Sequence, residues 1–321
     1  MENILYVVVP CYKEEAVIPE ISSHLCKKFN YLIQNNTISS LSKIMFVNDG
    51  STDMSWEIIC DLHDSNTIFA GINLSKNRGH QNALLAGLME CKDMADVIIS
   101  MDADMQHDIN TIDIMLEKYK DGYDVVYGVR NNRESDNLFK RVTAESFYKL
   151  MQALGVDIIF NHADFRLMSK RALNGLSQYN EVNLFLRGIV PMIGYKTTIV
   201  NYEQAKRFAG HTKYTVKKML SFAIEGITSL SVRPIRIITI LGFLASFFSV
   251  CMLVYFLVVY FTGATVAGWA TIVISIWGIG GLQLLAIGII GEYIGKIYLE
   301  IKKRPRYIIQ DKLIKDTDED I

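Results

Sequence analysis

The stretch SMDADMQHD, Ser100 to Asp108, carries three carboxylates, Asp102, Asp104 and Asp108, directly behind the apolar run Val97-Ile98-Ile99. Asp102 and Asp104 are alternate residues at the end of an expected strand, so their side chains point to one side. Two carboxylates placed in this way repel each other unless a cation or protons intervene. Oxygen donors alone suit Mg²⁺ or Mn²⁺, which complete their shells with water and substrate phosphates. The five cysteines, Cys11, Cys26, Cys60, Cys91 and Cys251, form no CxxC pair and read as reduced thiols. His80 and His162 have no metal-like spacing and read as polar lining or packed residues, so no zinc site competes.

The elements that position these carboxylates show in the apolar pattern. The runs LYVVVP (5–10), KIMFVN (43–48), IFAGINL (68–74), DVIISM (96–101) and DVVYGV (124–129) read as strands. Helix-period stretches such as EEAVIPEISSHLCKKFNYLI and NALLAGLMEC lie between them. The alternation predicts an α/β fold with a mainly parallel, Rossmann-like sheet buried under helices on both faces. Ligands of such sheets sit beyond the carboxyl ends of the strands. Polar clusters fall there: CYKEE, NDGSTD, SKNRGHQN and DADMQHD follow the first four runs in turn. Asp49-Gly50-Ser51 also makes a good turn, and Asp53 reads as the cap of the next helix.

The chain has 321 residues, half of them hydrophobic, and a formal net charge of −1. That balance argues against a nucleic-acid partner. No charged residue occurs from Ile237 to Gly291. A membrane span needs about 20 residues, so two transmembrane helices are expected, broken near Thr262-Gly263-Ala264-Thr265. Lys217, Lys218, Arg233 and Arg236 precede this stretch, and Lys296, Lys302, Lys303, Arg304 and Arg306 follow it. The positive-inside rule then predicts a multi-pass protein with its N-terminal part and both termini in the cytoplasm. MENILYVVVP lacks the basic start and apolar length of a secretion signal. Val216, Met219, Leu220, Ala223, Ile224, Ile227 and Leu230 recur at helical spacing, which predicts an amphipathic helix on the bilayer surface. Gly288, Gly291 and Gly295 would let helices pack closely and so permit a homo-oligomer. The expected organisation is an α/β domain over 1–211, a juxtamembrane helix over 212–234, a hairpin over 235–295 and a basic, then acidic, tail over 296–321.

VVVPCYKEE, VNDGSTD, KNRGHQNALLAG, DADMQHD, NHADFRLMSKRAL, NLFLRGIVPMIGYK and AKRFAGHTKY occur in that order. As an ordered set they resemble the family 2 glycosyltransferases of GT-A fold. More narrowly, they resemble the bacterial polyprenyl-phosphate (bactoprenol) glycosyltransferases, which end in two transmembrane helices. The resemblance implies an inverting enzyme of the bacterial cytoplasmic membrane that uses Mg²⁺ or Mn²⁺. It would move a hexose from a UDP-sugar to undecaprenyl phosphate, giving a lipid-linked sugar for modifying cell-envelope glycopolymers. UDP-glucose is favoured, with UDP-N-acetylglucosamine as the alternative. By position, Pro10, Tyr12 and Glu14 would border the base and ribose, Asp49 the uracil, and Asp102 the ribose and metal region. Asp104 would be the chief metal carboxylate, with Gln106 beside it. Asp164 takes the catalytic or acceptor-facing place, and Arg130, Arg133, Arg166, Arg207 and Lys213 would handle phosphates. Many relatives continue with Asp-Pro-Pro where this chain has His107-Asp108-Ile109, which leaves Asp108 without an assigned role.

A phosphate monoester has a second pKa of roughly 6 and needs little deprotonation at neutral pH. Asp164 is therefore expected to orient Arg166 or the acceptor, or to remove a residual proton, without being an obligatory base. A processive polysaccharide synthase would carry Gln-x-x-Arg-Trp, and none of Trp56, Trp269 and Trp277 has that setting. A non-catalytic scaffold or lipid transporter gives no reason for the Asp102/Asp104 pair.

Overall fold

β1 (Leu5–Cys11) is buried along its whole length and forms the axis of the fold. The computed structural model describes residues 2–130, 162–203, 226–229, 231–262 and 268–314. In it β1 pairs in parallel with β2 (Lys43–Asn48) on one side and β4 (Val97–Ser100) on the other. β3 (Phe69–Leu74) extends the parallel array beyond β2. On the far side of β4 the sheet becomes mixed. β6 (His162–Ser169) runs antiparallel to both β4 and β5 (Val125–Arg130), and β7 (Thr197–Tyr202) lies parallel to β5. β8 (Ile309–Leu313) closes the other edge antiparallel to β3, giving the order β7-β5-β6-β4-β1-β2-β3-β8.

Alternate residues of each strand feed two separate cores. Leu5, Val7 and Val9 pack with Ile21, Leu25 and Phe29 of α1 (Ile18–Gln34), Ile59 of α2 (Ser55–Ser65) and Met115 of α4 (Thr111–Lys120). Tyr6 and Val8 face Leu84 and Leu88 of α3 (His80–Cys91), Leu173 of α5 (Lys170–Leu176) and Ile189 of α6 (Leu186–Met192). A sheet covered on both faces explains why the strand sequences read as continuous apolar runs rather than alternating ones. The five expected strands are all present, within a residue of their expected limits.

Three strands escaped the apolar pattern, β6, β7 and β8, of which β7 is a largely exposed edge strand. β6 carries Asp164 and Arg166 in the interior of the sheet, where charge interrupts the hydrophobic run. β8 corrects the reading of 296–321 as a tail. α8 (Trp269–Lys302) continues to Lys302, where Lys303 turns with φ +46°, and the chain then returns to the sheet. Tyr307, Ile309 and Ile314 pack on the core, and Asn73 Nδ2 donates to Asp311 at 2.9 Å.

α7 (Arg233–Phe261) and α8 carry no charged residue between Ile237 and Gly291, and Phe243, Phe247, Leu284 and Ile287 are exposed. Among the described residues, Arg233–Met252 is a stretch long and apolar enough to cross a membrane: 20 residues, mean hydropathy 2.1, none of it buried. Of the expected surface helix, Val216, Met219, Leu220, Ala223, Ile224 and Leu230 lie outside the described residues.

Gly87 sets how closely α3 approaches the sheet. A Cβ there would lie 2.4 Å from Val8 Cγ1 and 2.7 Å from Val47 Cγ2. Gly87→Ala gains about 1 kcal/mol of helix propensity. Overpacking costs roughly 1–3 kcal/mol, and contacts this short put it at the upper end. Gly87→Ala is therefore expected to lower the midpoint of denaturant unfolding of the purified protein. An unchanged or raised midpoint would mean that α3 is not pressed on β1 and β2.

Candidate active site

The carboxyl ends of β1, β2 and β4 open into a cleft of about 950 Å³. Seven of the expected site residues line it: Pro10, Tyr12, Glu14, Asp49, Asp102, Asp104 and Asp164. Sheet topology explains the convergence, since β1, β2 and β4 are parallel and end together. β6 runs the opposite way, so Asp164 enters the same end of the sheet from its beginning. Ser100 fixes that strand, donating its hydroxyl to the Asp164 carbonyl at 2.6 Å.

Asp164 is buried and stands at the centre of a charge cluster. Arg166 Nη2 donates to its Oδ1 at 2.6 Å, Arg187 Nη2 to its Oδ2 at 3.0 Å, and His80 Nε2 lies 3.4 Å from Oδ2. Burial alone would raise the Asp164 carboxyl. Arg187, the hydrogen bond from His80 and Arg166 outweigh it and hold the group well below the usual carboxylate range. Asp164 is thus a fixed anion. His80 Nε2 also lies 3.4 Å from Asp102 Oδ1. The imidazole is pulled in two directions: burial lowers its pKa, while Asp164 and Asp102 raise it, and the net shift is upward.

Asp102 is backed by a second network. His107 is buried, stacks on Phe165 at 4.8 Å, and reaches Asp102 Oδ2 with Nε2 at 3.3 Å. Its Nδ1 lies 2.9 Å from the Tyr202 hydroxyl, to which Arg130 Nε donates at 3.2 Å. One set of donors satisfies the chain: Arg130 to Tyr202, Tyr202 to His107 Nδ1, and His107 Nε2–H to Asp102. Burial would raise the Asp102 carboxyl, but the bond from His107 and the charge of His80 leave it below its ordinary value. His107, part of the departure in DADMQHD, therefore supports the neighbouring acid. Asp108 opens α4, accepting the Asn110 N–H at 2.9 Å.

Asp49 has a structural task as well as a place in the cleft. Its two oxygens accept the backbone N–H groups of Arg78 at 2.7 Å and Gly79 at 2.9 Å, just before α3. Burial raises its pKa despite those bonds. Gly50, with φ +61°, lets the β2 turn pass within contact of the Lys76 backbone. Asp53 accepts the Ser55 N–H at 3.2 Å at the start of α2, as a cap would.

Four expectations change. Arg166, 1 % exposed, is a buried partner of Asp164 and does not line the cleft. A phosphate cannot reach it, because Asp164 and the Leu186 carbonyl occupy its ends. Arg130 is committed to Tyr202. Gln106 donates its backbone N–H to Asp104 Oδ1 at 3.2 Å, and its side chain is absent from the cleft lining. The fourth concerns Arg187, which sequence reading left without a role; His80, read as a lining or packed residue, does line the cleft, and both meet Asp164. Arg133, Arg207 and Lys213 lie outside the described residues.

The carboxylates of Asp102 and Asp104 both open on the cleft and fit a hard divalent ion by donor type. Among the described residues, the ligand atoms of His80, Asp102 and Asp164 lie within 4.8 Å of one another, a set that excludes Asp104.

The sequence matches the profile of glycosyl transferase family 2 over residues 6–176. It is 52% identical over 308 residues to the uncharacterized glycosyltransferase YkoT of Bacillus subtilis (strain 168), covering 96% of this chain and 91% of that one. It is 38% identical over 307 residues to the prophage bactoprenol glucosyl transferase homolog of Escherichia coli (strain K12), covering 94% of this chain and 97% of that one. The solved structure of the mannosyltransferase PcManGT from Pyrobaculum calidifontis, in complex with GDP-Man and Mn²⁺, superposes with a TM-score of 0.48 at 12% identity, covering 93% of this chain and 85% of that one. With a mainly parallel sheet ending in an acidic cleft, and with this family profile over more than half its length, the chain belongs to glycosyl transferase family 2 and is a glycosyltransferase.

Proposed function

We propose that this enzyme transfers a hexose from a UDP-sugar, UDP-glucose in the first place, to undecaprenyl phosphate at the cytoplasmic face of a bacterial membrane. The observation that carries the reading is the 38% identity to a protein named as a bactoprenol glucosyl transferase homolog, sustained over 94% of the chain and so through both C-terminal helices. UDP-N-acetylglucosamine is the alternative donor, and the product is a lipid-linked sugar for cell-envelope glycopolymers.

The reaction is a single inverting displacement. A phosphate oxygen of the lipid attacks the anomeric carbon, and the bond from that carbon to the diphosphate breaks, releasing UDP. Pro10, Tyr12, Glu14 and Asp49 form the end of the cleft assigned to uridine. Asp102 and Asp104 would hold a divalent ion, Mg²⁺ or Mn²⁺, which would supply positive charge beside the diphosphate leaving group. His107, tied to Tyr202, keeps the Asp102 carboxylate aimed and ionised. Asp164 orients the acceptor side of the site through Arg187 and His80. The attacking phosphate brings its own negative charge, so a strongly acidic Asp164 has no proton that it must accept. Arg133, Arg207 and Lys213 are the candidates for cationic contacts to the phosphates.

Chain parity constrains the proposed membrane attachment. β8, which comes after α8, pairs with β3 of the same domain that precedes α7. If α7 crosses the bilayer, α8 must cross back. A second cleft of about 930 Å³ lies between the start of α3, residues 182–185 and Gly291–Leu299 of α8. It shares Gly79 and His80 with the main cleft, which favours an acceptor that arrives along α8.

Three outcomes are expected. Asp104→Asn abolishes UDP release that depends on added undecaprenyl phosphate, and excess EDTA does the same to the wild type. Full turnover in either case removes the metal role. Asp164→Asn keeps UDP affinity within about twofold but loses transfer by about a hundredfold or more, the scale of one well-placed electrostatic group. A variant rate that recovers steeply with rising pH would contradict the orienting role. A compartment-sensitive reporter at either terminus reads cytoplasmic, and one inserted over 262–268 reads external. An external N-terminus would overturn both topology and function, since UDP-sugars are made in the cytosol.

A further inference from the structure

We infer that Glu300, near the cytoplasmic end of α8, is a positioning residue for the reaction centre, acting through Arg187 on Asp164. The inference rests on the transfer reaction proposed above. Residues 180–185 form neither helix nor strand, so their shape is set by whatever accepts their N–H groups. Glu300 supplies two of those acceptors. Its Oε2 receives the Val182 N–H at 2.9 Å, and its Oε1 receives the Asn183 N–H at 2.8 Å together with Asn183 Nδ2 at 3.0 Å. Charged acceptors make hydrogen bonds roughly twice as strong as neutral ones.

This anchored segment leads straight into the site. Phe185 is buried, and the Leu186 N–H donates to Gln81 Oε1 at 2.9 Å, beside His80. One residue later, Arg187 places Nε 3.3 Å from Asp164 Oδ1 and Nη2 3.0 Å from Oδ2. Only Leu184, Phe185 and Leu186 separate the residue held by Glu300 from the one that holds Asp164. Arg306, also from the chain after the membrane helices, donates to the Tyr179 carbonyl at 2.7 Å and secures the other end of the segment. The helix that anchors the enzyme in the bilayer therefore also sets one of the two guanidinium groups on the central carboxylate.

A double-mutant cycle on the full-length protein in lipid nanodiscs tests this, reading UDP affinity, turnover with UDP-glucose and undecaprenyl phosphate, and thermal unfolding. Glu300→Ala is expected to lower kcat about tenfold and to leave UDP affinity within twofold. Glu300→Gln, which keeps one acceptor oxygen, falls in between. Combining Glu300→Ala with Arg187→Ala gives a rate no lower than Arg187→Ala alone. Lys312→Ala, which removes the ion pair of β8 with Glu90 and touches neither cleft, leaves kcat unchanged. Wild-type turnover in Glu300→Ala, losses that multiply in the double variant, or a parallel fall in UDP affinity would each overturn the inference. If Glu300→Ala does not fold, Glu300→Gln decides by the same readouts. A wild type with no transfer activity would instead defeat the underlying reading of function.

Discussion

A carboxylate and a guanidinium two residues apart, Asp164 and Arg166, are buried together in β6 near the middle of an eight-stranded sheet. Breaking a buried pair by removing one partner typically costs 3–5 kcal/mol, because the other charge is left uncompensated. The rest of the site is arranged around that constraint. Arg187 and His80 complete the neutralisation, and each comes from the start of a helix on the same face of the sheet. Asp164 with Arg166 and Arg187 carries one net positive charge, and Asp102 beside the cluster offsets it.

The two sides of the floor are held differently. Asp164 is gripped by cations, which fix it as an anion. Asp102 is backed by His107 and, behind it, Tyr202, with Arg130 at the far end of the chain. That difference matches the proposed division of roles, with Asp102 and Asp104 as the metal carboxylates and Asp164 as the orienting one. The two long apolar helices belong to the same arrangement. The chain after α8 returns to the domain through β8 and packs on it, which ties the proposed bilayer anchor to the cleft.

Much of this was legible in the sequence where burial and apolar pattern coincide. β1 to β4 read clearly because both faces are covered and most positions are apolar. Seven of the expected site residues line one cleft, six because parallel strands must end at one place and Asp164 because antiparallel β6 begins there. β6 was hidden by its own function, since Asp164 and Arg166 break the run that marks a strand. Arg166 was misassigned for a related reason: sequence gives the charge but not whether water or a phosphate can reach it. β8, with the polar pattern IQDKL, depends on a partner more than two hundred positions away. The meeting of Arg187 and His80 on Asp164 is tertiary, and no local spacing announces it.

The central claim is that this cleft joins a UDP-hexose to a polyprenyl phosphate. Its most direct test supplies the purified full-length protein with undecaprenyl phosphate, Mg²⁺ or Mn²⁺, and equal UDP-glucose, UDP-N-acetylglucosamine and GDP-mannose. Mass spectrometry of the extracted lipid then identifies the product. The account predicts undecaprenyl phosphate carrying one hexose, labelled only when UDP-glucose is the isotopically marked donor. A mannose-bearing lipid, or sugar transfer to water with no lipid product, would contradict it.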